Sequence, residues 1–279
     1  MALWRYMSID KFIDLLSNHK LFLTPLSYYQ STDPFEGFAP KVAFEASTNI
    51  FLKEIEELEE QSRLIENRFH SGATAPTKDQ LSAISNMKQM VENHKSDLVP
   101  RNNKISKSTC VHCWYHSESE SEAMWKLYSD SGKGIAIKTS VGSLVSALNI
   151  SKPQVPLRIG RVQYLDFLCE KLTPKECVAD GVTIPLLKRK EYAHENEIRL
   201  YSVLPQINAN NWREHEPTPT LVDVDLSVLI EAVYISPYVA EPFNSSVKTL
   251  CKLFEIPSEK IIESQLLENY EKLLSGYVK

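Results

Sequence analysis

Residues 188–201 read Lys-Arg-Lys-Glu-Tyr-Ala-His-Glu-Asn-Glu-Ile-Arg-Leu-Tyr and continue into an apolar segment that ends at Val203. From Glu195 onward, charged and apolar side chains alternate with a period of two. On an extended strand this spacing places Glu195, Glu197 and Arg199 on one face. The stretch therefore predicts a strand with two carboxylates about 7 Å apart and a guanidinium beside them.

The chemistry of this face depends on the closeness of the two carboxylates. Two like charges raise one pKa, and a neighbouring guanidinium lowers the other. Such a pair suits acid–base or cation-stabilising chemistry. The same residues also fit the solvated start of a strand with cross-strand ion pairs. On an exposed strand, Glu197→Gln is expected to change stability by at most about 1 kcal/mol, so a loss of activity would identify a catalytic role.

Bulk properties describe an ordinary globular chain. It has 279 residues, of which 43% are hydrophobic and 24% charged, and a formal net charge of −5. This balance disfavours a non-specific DNA-binding protein, although it is compatible with a local basic groove. No run of about 18 apolar residues exists to span a membrane, and the start lacks signal-peptide features. A cytoplasmic protein with no membrane partner is expected, its five cysteines reduced.

Strand and helix patterns alternate along the chain without an internal repeat. The predicted strands are Leu3–Met7, Leu21–Thr24, Ser108–Tyr115, Gly134–Thr139, Leu157–Leu165, Ile198–Val203, Leu221–Val224 and Ala232–Ile235. The predicted helices between them are Ile9–Ser17, Glu118–Ser129, Val141–Leu148 and Val182–His194. This order favours an α+β fold over a doubly wound sheet. We expect one α+β domain over residues 1–279, with a mixed or antiparallel central sheet flanked by helices.

Two further helical segments are predicted. Residues 50–98 carry two narrow apolar stripes separated by a turn at His70–Pro76, which predicts an inserted helical hairpin. Its other faces are strongly charged, so it is expected at the periphery, where it could also serve as a lid or a dimer arm. Residues 242–279 predict a C-terminal helical segment, with helices near Asn244–Phe254 and Ser258–Leu274.

The sequence Cys110-Val-His-Cys113 suggests a zinc site, but its spacing argues against one. On a strand, Cys110 and Cys113 point to opposite faces. No second pair at metal-ligand spacing follows, because Cys169 and Cys177 are eight positions apart. We expect no metal and two buried thiols. A thiol nucleophile formed by Cys110 and His112 is the alternative.

Two other segments are candidates for ligand contacts. Ser117–Glu122 contains overlapping capping boxes, and the helix that follows presents Trp125 and Tyr128 on one side. These aromatics belong either to the core or to a slot for a base or sugar. Ser27–Gly37, directly after a strand, is rich in hydroxyls, aromatics and acids, which is typical of a ligand loop and also of an ordinary surface loop. No glycine-rich phosphate loop is present.

Four ordered motifs resemble one known family. They are Leu3–Tyr6, then Leu21–Pro25 leading into Asp33–Glu36, then Cys113–His116 through Glu120 to Met124–Tyr128 and Gly134, and finally Lys188…Tyr192…Glu195-x-Glu197-x-Arg199. Together they resemble the uncharacterised bacterial family catalogued as domain of unknown function 2971, over about residues 3–240 with 50–98 as a longer insertion. Where that family usually has Trp in its last motif, this chain has Tyr192.

The layout also resembles an ADP-ribosyltransferase core. Such cores open with a strand carrying an Arg or His, here Arg5, and continue to a hydroxyl and aromatic segment, here Thr24 and residues 28–32. They end with a late strand bearing a Glu-x-Glu motif, here Glu195 and Glu197. In those enzymes the late Glu stabilises an oxocarbenium-like transition state on the nicotinamide ribose of NAD, which is where a carboxylate is needed. A clean Ser-Thr-Ser triplet is absent from this chain.

The resemblance implies specific roles. Glu197 would be the catalytic carboxylate, and Glu195 would orient the acceptor nucleophile. The residues implied to hold NAD or wall its pocket are Arg5, Thr24, Tyr29, Trp125 and Tyr128. The cations implied to bind substrate are Lys188 and Arg199.

The resulting hypothesis is an NAD-using ADP-ribosyltransferase-like enzyme, in the setting of a bacterial toxin or anti-phage defence effector that modifies a protein or nucleic acid. One alternative is a non-catalytic module that binds a nucleotide or a partner protein. Another is a nuclease in which Glu195, Glu197 and Asp33 hold Mg²⁺ and Lys188 contacts phosphate. The enzyme requires Glu197, Arg5 and residues 28–32 to converge on one cleft. The nuclease requires three carboxylates within about 5 Å of one point.

Overall fold

The computed structural model describes residues 1–71, 77–130, 132–148, 156–203 and 216–268. Its strands, in chain order, are β1 (Ala2–Ser8), β2 (Lys20–Pro25), β3 (Thr109–His116), β4 (Gly134–Ser140), β5 (Arg158–Arg161), β6 (Gln163–Leu165), β7 (Leu187–Arg189), β8 (Glu197–Val203), β9 (Thr220–Asp223), β10 (Ala232–Ile235) and β11 (Ile261–Glu263). Its α-helices are α1 (Ile9–Asn18), α2 (Lys41–Ser71), α3 (Lys78–Ser108), α4 (Glu122–Tyr128), α5 (Val141–Leu148), α6 (Leu226–Leu229) and α7 (Phe243–Leu253).

The strands confirm the predicted α+β fold with a mixed, mostly antiparallel sheet. The main sheet runs in the order β11-β10-β4-β1-β3-β2-β9, and β8 pairs with β3 and carries β5 at its outer edge. Of the described pairings in this sheet, only that between β10 and β11 is parallel. A separate parallel pair joins β6 and β7.

One face of the sheet is a continuous apolar core. Leu3 of β1, Trp114 of β3 and Ile137 of β4 point to this face and pack against the helices that cover it. Helix α1 contributes Phe12 and Leu16, which lie one turn apart on its buried side. Helices α5, α6 and α7 complete the cover, so this face has no room for a polar site.

The opposite face carries two smaller apolar clusters. Trp4 and Tyr6, which alternate with Leu3 along β1, pack against Trp125 of α4. Further along the sheet, Val111 and Tyr201 pack beneath the segments that follow β2 and precede β7. Charged residues of β8 lie between these two clusters, and they form the site described below.

Strand β3 shares one of its edges between two strands. Strand β1 pairs with its last residues, Tyr115 and His116, whereas β2 pairs with Cys110 and Val111 near its start. Strand β8 occupies the other edge from Thr109 to Tyr115. The sheet is therefore divided along the middle of β3, where neither β1 nor β2 pairs with it.

The inserted hairpin is longer than residues 50–98. Helices α2 and α3 have 31 residues each and pack against one another. Ile55 of α2 and Ile84 and Val91 of α3 are buried, whereas most of the other described side chains of both helices are exposed or partly exposed. The two helices thus cover part of their apolar stripes, whereas Ile50, Leu52, Leu64, Leu81 and Met90 remain exposed.

The helix predicted at Val182–His194 is wrong. Two 3-10 turns, Ile184–Leu186 and Lys190–Glu195, flank β7 there. All five side chains from Ile184 to Lys188 are buried, so the segment has no solvent face on which a surface helix could place its polar residues.

The predicted C-terminal helical segment 242–279 is helical only in part. Helix α7 forms as expected, but Ser258–Lys260 is a 3-10 turn and Ile261–Glu263 is β11. The β-branched pair Ile261 and Ile262 suits a strand and pairs with β10. Residues 269–279 lie outside the described residues. Among the helices that the structure describes, none has the length and apolar character that crossing a bilayer requires.

Candidate functional site

The acidic motif enters the sheet through a turn and not as a continuous strand. Glu195 ends a 3-10 turn, Asn196 has a left-handed backbone with φ 36°, and β8 begins at Glu197. Asn tolerates this conformation better than most residues, and its side chain donates to the His116 carbonyl at 2.6 Å. The prediction that Glu195 and Glu197 share a strand face is therefore wrong in its geometry, although their carboxylates do meet.

Lys188 brings the two carboxylates together. Its Nζ donates to Glu195 Oε2 and, at 2.7 Å, to Glu197 Oε1. The side chain is only 10% exposed, because Lys188 lies at the end of the buried run Ile184–Lys188. The ammonium therefore occupies the space between the two carboxylates.

Arg199 links this pair to a loop far away in the sequence. Its Nε donates to Glu197 Oε2 at 2.7 Å, and its two Nη atoms donate to Glu36 at 2.8 and 3.2 Å. The guanidinium is 1% exposed and also donates to the Pro185 carbonyl. We call Glu36, Lys188, Glu195, Glu197 and Arg199 the charged network.

Two glycines make room for the charged network. Gly160 of β5 lies opposite Arg199, and a Cβ there would approach Leu186 to 2.4 Å. Gly37, directly after Glu36, has a φ of 81°, and a Cβ there would lie 2.6 Å from Ser106 Cβ at the base of α3. The loop that delivers Glu36 therefore packs closely on the root of the hairpin.

The charged network holds three carboxylates and two cations in a buried space. The excess negative charge is unfavourable there, and protonation of one carboxyl relieves it. Burial, together with the hydrogen bond and charge of Glu197, raises the pKa of Glu195 to about 7. Burial alone would raise the pKa of Glu197 as well, but Arg199 and Lys188 outweigh it and hold that pKa well below its ordinary value. The pair thus divides into a permanent anion and a group that exchanges its proton near neutrality.

Tyr128 covers the outer side of Glu195. Its hydroxyl donates to Glu195 Oε1 at 3.1 Å, while the residue is 46% exposed. Burial of the hydroxyl and the neighbouring Glu195 charge raise the pKa of Tyr128, so it remains a donor. Glu195 is therefore the member of the charged network that is separated from solvent by one half-exposed ring. Behind it, the Glu197 backbone N–H donates to the Tyr164 hydroxyl at 2.9 Å.

Arg5, Thr24 and Tyr29 meet the charged network at Cys113. The Arg5 Nη1 donates to the Cys113 carbonyl at 2.7 Å, in the middle of β3 where β1 and β2 separate. Burial and the neighbouring Cys113 raise the pKa of Tyr29 to about 12, against the opposing effects of Arg5 and a hydrogen bond from Thr24. In the pairing of β3 with β8, Glu197 is opposite Tyr115 and Arg199 is opposite Cys113. Four segments remote in sequence thus converge here.

The Cys113 thiol itself is protonated at neutral pH. Burial and the charge of Glu197 raise its pKa to about 12, so it is not a nucleophile. The alternative nucleophile, Cys110, is fully buried on the opposite, apolar face, and burial raises its pKa too. Burial and the charge of Arg5 lower the pKa of His112 well below its ordinary value. A paired thiolate and imidazolium is not formed by these groups.

Three predicted site residues have a different surrounding from the one expected. Trp125 is fully buried and packs edge-on against Tyr6, so it supports the site from behind and does not wall an open pocket. Lys188 and Arg199 point inward and are paired with carboxylates, so neither offers a free cation to a substrate. A buried carboxylate cluster attracts these cations more strongly than a solvent-exposed ligand would.

Asp33 lies outside the charged network. Its Oδ1 pairs with Arg189 Nη2 at 2.6 Å, and the guanidinium lies over the rings of Phe35 and Tyr192. The expected trio of Asp33 with Glu195 and Glu197 is therefore not assembled. Three carboxylates do meet within about 5 Å of one point, but they are those of Glu36, Glu195 and Glu197, and the Lys188 ammonium occupies that point. Across the described ranges, no group of three or more His, Cys, Asp or Glu residues is arranged to hold a metal ion.

Two surface cavities lie away from Glu197. One, of about 530 Å³, lies between α1 and α7 and includes Ile13 and Leu250. The other, of about 350 Å³, lies beside Phe35. Neither cavity is lined by a member of the charged network.

Sequence reasoning missed the partners that complete the site. The sequence places Glu36 and Cys113 in ordered motifs but assigns neither of them a role in the site. A signal for Glu36 exists: an acid followed by Gly at the end of an aromatic turn is a position where the chain can turn an acid inward. No sequence signal pairs it with Arg199, 163 positions away.

Comparison of the chain with protein-family models, with curated proteins and with solved structures finds no match.

Proposed function

We propose that this chain is an NAD-using ADP-ribosyltransferase-like enzyme related to the domain of unknown function 2971 family. The observation that carries the proposal is the convergence of Arg5, Tyr29, Tyr128 and the Glu195–Glu197 pair around Cys113. These groups come from β1, the segment after β2, α4, and the turn that leads into β8. A bacterial toxin or anti-phage effector that modifies a protein or nucleic acid is the proposed setting.

The proposed roles of Glu195 and Glu197 differ from those expected from the sequence. Glu197 has both oxygens paired with cations, so it fixes Lys188 and Arg199 and supplies the permanent negative charge. Glu195 is the group that faces outward and exchanges a proton near pH 7. A general base functions best with a pKa near the working pH. In this proposal Glu195 is the catalytic carboxylate and Glu197 positions it through Lys188.

The proposed reaction transfers the ADP-ribosyl group from nicotinamide to an acceptor. The bond between ribose C1′ and the nicotinamide nitrogen breaks with its electron pair going to nicotinamide, and an acceptor oxygen or nitrogen forms the new bond to C1′. The acceptor proton passes to Glu195. The positive charge that develops on the ribose is stabilised by the net negative pair of carboxylates. Arg5 and Tyr29 lie on the other side of Cys113, where they hold the nicotinamide end.

Nicotinamide release from NAD tests this proposal. Glu195→Gln should lower kcat by about 100-fold or more, the usual loss for a general acid–base group, and Tyr128→Phe should cause a smaller loss. The matched control is Glu191→Gln, an exposed acid in the same 3-10 turn, which should retain wild-type kcat. Melting temperatures of all variants separate lost chemistry from lost folding. Equal turnover by wild type and Glu195→Gln would refute the catalytic role.

A non-catalytic nucleotide- or partner-binding module is the second candidate. It is favoured by the saturation of the charged network, in which both oxygens of Glu197 and both cations are already paired. Titration calorimetry with NAD, together with the assay of nicotinamide release, distinguishes the binding module from the enzyme. Binding that Arg5→Gln weakens, without nicotinamide release by any variant, would establish the module and exclude the enzyme.

A further inference from the structure

An aromatic groove includes Phe35, the residue that precedes Glu36 of the charged network. The 350 Å³ cavity is lined by four phenylalanines, Phe35, Phe38, Phe44 and Phe167, together with small apolar residues and Lys41. They come from the loop before α2, from α2 itself and from the segment after β6. The Lys41 backbone N–H donates to the Phe167 carbonyl at 2.9 Å, which holds the two walls together.

The polar component of the groove is limited. Lys41 Nζ pairs with exposed Glu170 at 2.8 Å and lies 3.8 Å from Glu45, so its charge is already engaged. Lys41 therefore contributes only the aliphatic part of its side chain to the groove wall. Phe35 and Phe167 meet edge to face, with ring centroids 6.2 Å apart. The surface is therefore suited to the face of a planar ring.

A path of stacked groups leads from this groove to Glu195. The Arg189 guanidinium lies 4.8 Å from the centroid of the Phe35 ring and 5.3 Å from that of Tyr192. Lys188 Nζ lies 4.8 Å from the same Tyr192 ring and contacts Glu195. The Arg189 side chain is 25% exposed. Its Nη2 pairs with Asp33, and its Nε is buried without a hydrogen-bond partner, so only the remaining exposed part of the guanidinium can reach a ligand.

We propose that the groove binds the purine base of the dinucleotide whose ribose reacts at Glu195, with Arg189 contacting the phosphates between them. This inference rests on the proposed function and names the substrate class: a dinucleotide, with two rings joined by an anionic bridge. On the protein, the carboxylate is followed by the guanidinium and then by the aromatic groove. In the dinucleotide, the ribose is followed by the pyrophosphate and then by the base, so the two orders match. Arg is suited to phosphate by its planar fork, and bases stack on aromatic side chains.

Adenosine and AMP are the probes, and calorimetry with the full chain is the measurement. Phe38→Leu keeps an apolar side chain but removes the ring, and should weaken both probes by about tenfold, within the range of one lost stacking contact. Phe44→Leu is the second variant, in case the first alters folding. Arg189→Lys should weaken AMP and leave adenosine unchanged, because only the fork is lost. Phe254→Leu, a partly exposed ring beyond α7, is the matched control and should bind as wild type.

The outcomes separate this inference from the proposed function. AMP binding that depends on Phe38, with no turnover of NAD, would support the groove and refute the enzyme. Turnover of NAD with an unchanged KM in both Phe38→Leu and Phe44→Leu would overturn the groove alone. Failure of the wild type to bind either probe would overturn it as well. Equal binding of adenosine and AMP by wild type and both Leu variants would place the binding of these probes outside the groove and overturn the inference.

Discussion

Arg199 and Glu36 form a fork-to-carboxylate ion pair between residues 163 positions apart, with Nη–Oε distances of 2.8 and 3.2 Å. Both side chains are almost completely buried. Removal of one partner from such a pair leaves the other charge uncompensated, and this is far more costly than the loss of an exposed pair.

We expect Glu36→Gln to lower the free energy of unfolding by about 3–5 kcal/mol, because Arg199 would lose its bidentate partner. Urea denaturation followed by circular dichroism measures the change. Glu45→Gln, which alters a half-exposed acid on α2, is the matched control and should be nearly neutral. A small effect of Glu36→Gln would mean that the guanidinium finds solvent or another acceptor.

Glu197→Gln is also expected to destabilise the fold by about 3–5 kcal/mol. The sequence predicted at most about 1 kcal/mol, on the premise of an exposed strand. That premise is wrong, because Glu197 is 4% exposed and compensates both Lys188 and Arg199. Thermal melting and urea titration of the same preparation check the change. Wild-type stability in this variant would show that water enters the site.

Stability should depend on pH through Glu195. Its pKa is raised from an ordinary 4.5 to about 7, so between these values the folded state holds a proton that the unfolded state has lost. This stabilisation is fully present below pH 4.5 and is lost as pH rises through about 7. Glu197, whose pKa is lowered, acts in the opposite sense, and its contribution is lost only as pH falls through its folded value.

The comparison of melting temperatures at pH 5 and pH 8 isolates this effect. Wild type should have a lower melting temperature at pH 8 than at pH 5. Glu195→Gln should lack the part of this decrease that comes from deprotonation of Glu195, because Gln mimics the protonated side chain at both pH values. Glu191→Gln should leave the decrease unchanged. Identical pH profiles for wild type and Glu195→Gln would place the titration elsewhere.

Deletion of residues 50–98, bridged by a short Gly/Ser linker, should leave a folded protein. Helices α2 and α3 are antiparallel and of equal length, so residues 49 and 99 lie at the same level of the hairpin. The deletion keeps its root, where Gly37 packs on Ser106. Differential scanning calorimetry should still show one cooperative transition. Its disappearance would show that the distal hairpin belongs to the core.

Cys110 and Cys113 should bind no metal. Cys110 faces the apolar core and Cys113 faces the charged network, so their thiols lie on opposite sides of β3. Elemental analysis of the purified protein should give zinc well below one equivalent. One zinc per chain, absent from a Cys113→Ser variant, would contradict the strand geometry.

The fold was predictable where a local pattern reflects burial on one face. Helix α1 follows from the stripe of Ile9, Phe12 and Leu16, which is a property of a short window. The structure of Val182–His194 was not predictable from a local pattern. Both faces of Ile184–Lys188 are buried, so the spacing of apolar residues there does not distinguish a helix from a strand. Ile261–Glu263 is a strand because it pairs in parallel with β10, and a short sequence window does not contain this tertiary contact.

The candidate site was predictable in its members more than in its geometry. Glu195 and Glu197 stand out in sequence because two acids flank a strand start. Their separation by a left-handed Asn196 is not visible in a period-two pattern. The orientation of Lys188 depends on the burial of β7, and that of Arg199 on Glu36. Such long-range compensation of charge cannot be read from any short window.

The buried guanidinium of Arg199 also constrains the order of folding. Contact between residues 36 and 199 closes a long loop, which is slow to form. Until Glu36 arrives, completion of the pairing between β3 and β8 would bury the two Nη groups of Arg199 without their carboxylate partner. The docking of that loop and the final insertion of β8 should therefore occur together, late on the folding pathway, and Glu36 variants should accelerate unfolding more than they slow folding.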